Sequence, residues 1–75
     1  MNKNTDTITY KLGTKIRIER IKRGLSQEEL AEKAGIAINS VGGIERGEQS
    51  PTVETVDLIA KALDIEISKL FVFTF

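Results

Sequence analysis

The stretch SQEELAEKAGIAINSVGGIERG, residues 26–47, sets the fold of this 75-residue chain. Ser26, followed three residues later by Glu29, has the form of a capping box, in which each side chain accepts a hydrogen bond from the other residue's backbone amide. We therefore expect a helix that begins near Gln27. Gly35 adopts a left-handed backbone conformation without steric cost, so this helix ends just before it and the chain turns sharply.

A second short helix follows this turn, from Ile38 to Arg46, with Gly47 at its end. Val41 and Ile44 are three residues apart and must face the core. The opposite face then carries Ile38, Asn39, Gly42, Gly43 and Arg46. Two helices with this spacing are typical of a helix-turn-helix, which sets its second helix in the major groove of DNA. An αα-hairpin of a helical bundle has the same apolar periodicity, so the pattern by itself leaves both interpretations open.

The flanking segments add further helices to the prediction. Leu12 and Ile16, four residues apart, predict a first helix that ends before Gly24. A fourth helix, with Thr52 as its N-cap, carries an apolar stripe. The stripe consists of Val53, Val56, Ile59, Ala60 and Leu63. With a short fifth helix over residues 67–71, the predicted fold class is all-α, a compact bundle of four to five short helices.

These helices belong to one domain, which we place at residues 10–71. Residues 1–9 show no helical periodicity, and we expect a flexible segment there. Ile8 and Tyr10 alternate with threonines as in a short strand, which is an alternative for part of this segment. Residues 72–75 form an apolar C-terminal tail.

The composition excludes most enzyme chemistry. The chain has no cysteine and no histidine, so zinc sites and Ser-His or Cys-His catalysis lack their usual groups. Carboxylates occur only at spacings that are ordinary on solvated helices, and we expect neither an enzyme nor a metal, cofactor or small-molecule ligand. The polar N-terminus is not a signal peptide, and no apolar run approaches a membrane span. These features predict a protein of the bacterial or phage cytoplasm.

Charge is unevenly distributed along the chain although its formal net charge is zero. Residues 1–23 hold seven basic and two acidic side chains, whereas residues 24–75 hold four basic and nine acidic ones. The basic side chains of the first helix are Lys11, Lys15, Arg17, Arg20, Lys22 and Arg23. They form either a solvated helix face or an edge that faces phosphates.

Four pieces of the sequence resemble the helix-turn-helix family of phage repressors and Cro proteins, called the XRE family. The pieces are LGTKIR, RGLSQEELAEKAGI, IERGEQSPTVET and LIAKALDI, and they lie between residues 12 and 71. The resemblance implies a lambda-repressor-like DNA-binding domain. It also implies a sequence-specific transcriptional regulator, similar to phage-type repressors and restriction-modification controller proteins, that binds a two-fold symmetric operator in double-stranded DNA as a homodimer.

The same resemblance assigns roles to individual residues. The positions at which the family reads base edges are Ala37, Ile38, Asn39 and Gly43. The positions expected to contact phosphates are Gln27, Lys22, Arg23, Arg46 and Gln49. A carboxamide pairs with adenine through two hydrogen bonds, so Asn39 is the candidate for direct readout, and Ile38 suits a thymine methyl. Alternatively, Asn39 caps the helix and Ile38 packs against a neighbouring helix.

Arg20 and Glu45 match a pair that in this family forms a partly buried salt bridge between the first and third helices. We assign both residues to structure, because a buried carboxylate without its guanidinium is costly. Arg20 is therefore not among the expected DNA contacts.

The third helix departs from the family pattern. Ala37 stands where the family has a serine or threonine N-cap, and Gly42 and Gly43 each destabilise a helix interior by up to about 1 kcal/mol relative to alanine. Glu19, in the first helix, stands where relatives tend to place an apolar residue. Direct readout should then be sparse. This keeps a second function open, a protein-interaction module such as an antitoxin-like partner with weak DNA readout.

Three of the four aromatic rings lie in the last five residues, at Phe71, Phe73 and Phe75. This is more apolar surface than a small monomer leaves exposed to water, so we expect a homodimer through the fifth helix and the tail. Alternatively, the tail pairs as a strand with residues 8–10, or it is frayed.

Overall fold

The structure, a computed structural model, describes residues 7–75 and contains five helical elements. They are α1 (Ile8–Lys22), α2 (Gln27–Ala34), α3 (Ile38–Glu45), α4 (Val53–Ala62) and a terminal 3₁₀ helix (Ile67–Phe71). No strand occurs among the described residues, and the all-α prediction is confirmed. Within residues 7–75, no helix has the length and apolarity that crossing a membrane requires.

The first helix begins earlier than predicted. Thr7 is its N-cap, and the Thr7 hydroxyl accepts a hydrogen bond from the backbone amide of Tyr10 at 3.1 Å. Ile8 and Tyr10 are therefore helical, and the alternative of a strand over residues 8–10, with the tail paired to it, is wrong. A side-chain cap of this kind satisfies an amide that helix formation leaves unpaired, so the helix starts without apolar periodicity. The rest of the segment predicted to be flexible, residues 1–6, lies outside the described residues.

The turn between α2 and α3 forms as the sequence predicts. The Ser26 hydroxyl accepts from the amide of Glu29 at 3.0 Å, and the Glu29 carboxylate accepts from the amide of Ser26 at 2.8 Å. Gly35 has a φ of 73°, the left-handed conformation that ends α2. Ala37 occupies the N-cap position of α3 without a side-chain hydrogen bond, as its methyl group requires.

One apolar core is shared by all five helical elements. Its fully buried large side chains are Ile16, Leu30, Val41, Ile44, Ile59, Leu63 and Leu70. Four of the five residues predicted to line α4 are buried, but Val53 is 75% exposed. Val53 is the first residue of α4, and this first turn extends past the packed core, since the first buried side chain of the helix is Val56.

Helices α1 and α3 approach each other closely at Gly13. A Cβ atom built on Gly13 would overlap the backbone carbonyl oxygen of Ile44 and would lie 3.2 Å from the carbonyl carbon of Glu45. Backbone atoms cannot move aside as the end of a side chain can. Glycine at this position is therefore a condition for the observed placement of α3 against α1, which helical periodicity alone does not reveal.

Replacing this glycine should destabilise the fold. We expect Gly13→Ala to lower the free energy of unfolding by about 1 to 3 kcal/mol, because the added methyl group forces α1 away from α3. Urea denaturation followed by circular dichroism measures the change. Thr14→Ala, at the next position of the same helix, is the control. Equal or greater stability of Gly13→Ala would contradict the close approach of the two backbones.

Candidate nucleic-acid interface

The outer face of α3 is the surface that the sequence pattern assigned to bases. Val41 and Ile44 are buried in the core, as predicted, while Ile38 is 43% exposed and Asn39 is also exposed. Asn39 lies inside α3, whose N-cap is Ala37, so the alternative that Asn39 caps this helix is wrong. The exposure of Ile38 likewise argues against burial under a neighbouring helix.

The two glycines of α3 lie on this outer face but are not open to solvent. A Cβ atom on Gly43 would lie 2.8 Å from Cδ of Gln49, and one on Gly42 would lie 2.9 Å from Nη1 of Arg46. The carboxamide oxygen of Gln27 is 3.7 Å from the same point on Gly42. The assignment of Gly43 to a base-reading position stays a prediction, and the end of the Gln49 side chain covers this position. Since glycine has no side chain, the ends of neighbouring long side chains occupy the space.

A buried ion pair ties this face to the rest of the domain. Arg20 donates from Nε to Oε2 of Glu45 at 2.7 Å and from Nη2 to Oε1 at 3.0 Å. Its third hydrogen bond, from Nη1, goes to the carbonyl of Leu25 at 2.7 Å. The Arg20–Glu45 pair that the family resemblance implied is thus present. Fork-shaped pairing of guanidinium with carboxylate sets both distance and orientation, so it holds α1 and the end of α3 in one arrangement.

Gln27 extends this network to α2. Its side-chain amide donates to Oε1 of Glu45 at 3.0 Å, which holds the carboxamide beside Gly42 on the outer face of α3. Gln27 is also the first residue of α2, where unpaired backbone amides and the helix dipole favour an anion. The Gln27 side chain and the N-terminus of α2 therefore both lie next to the same edge of α3.

Arg46 and Gln49 complete the rim of this face. Both are exposed, and Nε of Arg46 lies 3.1 Å from Oε1 of Glu48 in an ion pair whose two side chains are each 60% exposed. Exposed ion pairs of this kind stabilise little, so Arg46 can exchange Glu48 for another anion at small cost. The structure thus brings together six predicted contact positions around α3: Gln27, Ala37, Ile38, Asn39, Arg46 and Gln49.

The structure does not bring Lys22 and Arg23 to this rim. Arg23 donates to the carbonyl of Leu63 at 2.6 Å and to the carboxylate of Glu19 at 2.6 Å, so it joins α1 to the end of α4. Nζ of Lys22 lies 3.6 Å from Oε2 of Glu19. Lys22 is two residues after Arg20 and therefore lies on the opposite side of α1. Contact of Lys22 and Arg23 with phosphates therefore stays a prediction, separate from the outer face of α3.

Comparison with known proteins assigns this arrangement to a family. Residues 16–70 match the protein family described as Helix-turn-helix. The chain belongs to this helix-turn-helix family. The prediction of an XRE-type domain, made from the sequence motifs, is confirmed.

Relatives of the chain in this helix-turn-helix family bear the names of regulators. The cryptic phage CTXphi transcriptional repressor RstR of Vibrio cholerae is 42% identical over 57 residues, 76% of this chain and 51% of the repressor. Control protein C.SmaI of Serratia marcescens is 39% identical over 59 residues, 79% of this chain and 70% of that protein. The chain therefore spans about half the length of RstR.

Solved structures of controller proteins have the same fold. The restriction-modification controller protein C.AhdI of Aeromonas hydrophila superimposes with a TM-score of 0.81 at 40% identity, over 83% of this chain and 94% of that one. A second controller, C.Esp1396I, was solved as a tetramer in complex with its natural 35-base-pair operator. It superimposes with a TM-score of 0.80 at 30% identity, over 85% of this chain and 84% of that one.

Glu19, which departs from the family pattern, is a buried carboxylate held by cations. Its carboxylate is 2.9 Å from Nζ of Lys15 and 2.6 Å from Nη1 of Arg23. Hydrogen bonds from Lys15 and Arg23 lower the pKa of Glu19 from 4.5 to about 2, although burial alone would raise it. The basic residues on this side of α1 therefore pair with the buried carboxylate of Glu19. The sequence signal for this cluster was the i, i+4 spacing of Lys15, Glu19 and Arg23.

The lowered pKa of Glu19 predicts a specific pH dependence of stability. Because the folded-state pKa lies below the unfolded value, the stabilisation is complete above about pH 4.5 and is lost as the pH falls toward 2. We expect the wild type to lose about 2 to 3 kcal/mol more than Glu19→Gln across this range. Denaturant titrations at several pH values measure the difference. Glu32→Gln, which removes an exposed carboxylate of α2, is the control and should follow the wild type.

Proposed function

We propose that this chain is a sequence-specific DNA-binding transcriptional regulator of the repressor or controller type. The observation that carries the proposal is the outer face of α3, where Ile38 and Asn39 are exposed and the side chains of Gln27 and Arg46 lie beside Gly42. An exposed helix face with polar groups at its rim suits the major groove, which admits one α-helix. The operator-bound structure of the controller C.Esp1396I supports the proposal by homology.

Base reading in this proposal rests on the start of α3. The Asn39 carboxamide pairs with adenine through N6 and N7, and the Ile38 side chain contacts a thymine methyl. Ala37, exposed just before the helix, contributes a small apolar contact at the same edge. One good carboxamide pair discriminates against a wrong base by about 1 to 3 kcal/mol.

Phosphate contacts in this proposal come from the rim. Gln27 donates to one phosphate together with the backbone amides of the α2 N-terminus, and Arg46 pairs with another after leaving Glu48. Such contacts fix the register of α3 on the duplex without reading sequence.

The second copy required by a two-fold symmetric operator docks, in this proposal, through the C-terminal segment. Phe71 is 44% exposed and Phe75 is 59% exposed, and Phe73 lies between them with edge-to-face ring contacts at 6.4 and 5.9 Å. Burying these rings against a second copy removes them from water. The dimer then holds its two α3 helices about 34 Å apart, the distance between successive major grooves.

A protein-interaction module is the second candidate, and one observation favours it. Among residues 7–75, the one cation at the outer face of α3 is Arg46, which is paired with Glu48, and two of the helix positions on that face are glycines. A surface with so little free positive charge suits an antitoxin-like partner that binds DNA weakly. Titration of a labelled random duplex at two salt concentrations separates the two, because a binder that contacts phosphates weakens steeply as salt rises.

Asn39→Ala should reduce discrimination among DNA sites. Once a site has been selected from a random duplex pool, we expect this variant to lose about 1 to 3 kcal/mol of preference at one base pair and little elsewhere. Fluorescence anisotropy on the selected site and its single-base-pair variants measures the effect. Lys33→Ala, which changes an exposed residue on the α4 side of α2, is the control. An equal loss on every duplex would make Asn39 a backbone contact.

The dimer proposal predicts a concentration-dependent mass. Sedimentation equilibrium at micromolar concentrations should give twice the 8.3 kDa monomer mass, and Phe71→Ser with Phe75→Ser should shift the protein to the monomer. Ile21→Ser, at an equally exposed apolar residue of α1, should leave the dimer intact. A wild type that is monomeric throughout would remove this interface from the proposal.

A further inference from the structure

We propose, resting on the DNA-binding function above, that Gln49 reads a base pair in place of the side chain that α3 lacks at Gly43. Gln49 lies outside α3, in the turn toward α4. The resemblance to the family placed it among phosphate contacts. Three observations assign it instead to the base-reading surface.

The first observation is the position of the Gln49 side chain. A Cβ atom on Gly43 would lie 2.8 Å from Cδ, 3.0 Å from Cγ and 3.0 Å from Nε2 of Gln49. The whole end of the side chain, including its amide nitrogen, therefore lies across the surface of α3 at this glycine. Asn39 is four residues before Gly43, so the two carboxamides lie one helical turn apart on the same face.

The second observation is the anchoring of the Gln49 backbone. The carbonyl of Gly43 accepts hydrogen bonds from the amides of Glu48 at 2.9 Å and Gln49 at 3.2 Å. Gly47, with a φ of 75°, turns the chain back toward α3 so that these bonds form. The backbone of Gln49 is therefore held against α3, which limits where its side chain reaches.

The third observation is that the Gln49 carboxamide is exposed and makes no hydrogen bond with any other residue in the part of the chain that the structure describes. A carboxamide has both a donor and an acceptor, as the edge of adenine in the major groove requires, whereas a phosphate needs donors alone. The pairing partner inferred for Gln49 is therefore an adenine at the base pair that faces Gly43.

The proposal makes Gly43 a condition for this readout. Alanine at this position would place a methyl group within 3.0 Å of Gln49 and push its side chain off the helix, while the carboxamide itself remains in the protein. Because alanine favours a helix interior more than glycine does, this variant should fold at least as well as the wild type. Gly43→Ala should therefore abolish the base readout by displacing the Gln49 side chain, whereas Gln49→Ala should abolish it by removing the carboxamide.

The test begins with selection of bound sites from a random duplex pool by the wild-type protein, followed by affinities for the selected site and all its single-base-pair variants. We expect Gln49→Ala to lose about tenfold discrimination at one base pair, with affinity for random duplex and its salt dependence unchanged. Gly43→Ala should lose the same preference, and the double variant should lose no more than either. Ser50→Ala, at the next exposed position, is the control.

Other outcomes separate the two proposals. If the wild type selects a site but Gln49→Ala weakens all duplexes equally with a smaller salt dependence, Gln49 is a phosphate contact and the inference is overturned. Unchanged discrimination in Gln49→Ala also overturns it. If the wild type selects no site at all, the proposed DNA-binding function itself fails, and this inference fails with it.

Discussion

The buried carboxylate of Glu45 is the group on which the arrangement of helices depends. A charge removed from water must be paired and hydrogen-bonded, and Arg20 of α1 satisfies it with two bonds. Gln27, the first residue of α2, donates to the same carboxylate. One buried charge on α3 thus positions three helices relative to each other. Gly13 permits the same close packing sterically, because without a side chain there the backbones of α1 and α3 can come into contact.

The outer face of α3 obtains its polar groups from its neighbours. Asn39 is the only uncharged polar residue that α3 itself exposes fully there, and the two glycines leave space that Gln27, Arg46 and Gln49 occupy. The candidate interface is therefore assembled from the start of α2, from α3 and from the turn after it. Its specificity then depends on the geometry of that turn as well as on the side chains of one helix.

The basic residues of α1 have two different structural roles, because they lie on different sides of the helix. Arg20 faces α3, whereas Lys15, Lys22 and Arg23 surround Glu19 on another side of α1. Arg23 also donates to the carbonyl of Leu63 and so joins α1 to the end of α4. The chain has a formal net charge of zero, and many of the basic residues of α1 pair with buried carboxylates of the same domain. A DNA-binding surface here relies on few cations, on dipoles and on carboxamides.

The sequence by itself determined the number and order of the helices, the capping box, the left-handed turn at Gly35 and the inward face of α3, because caps, glycine and apolar spacing are local properties. The family motifs added the Arg20–Glu45 pair. Only the tertiary structure decided that Arg23 binds the carbonyl of Leu63, that Gly13 meets Ile44, and that Gln49 lies across Gly43. These contacts join residues far apart in sequence or depend on which side of a helix a neighbour covers, and neither spacing nor residue type carries that information.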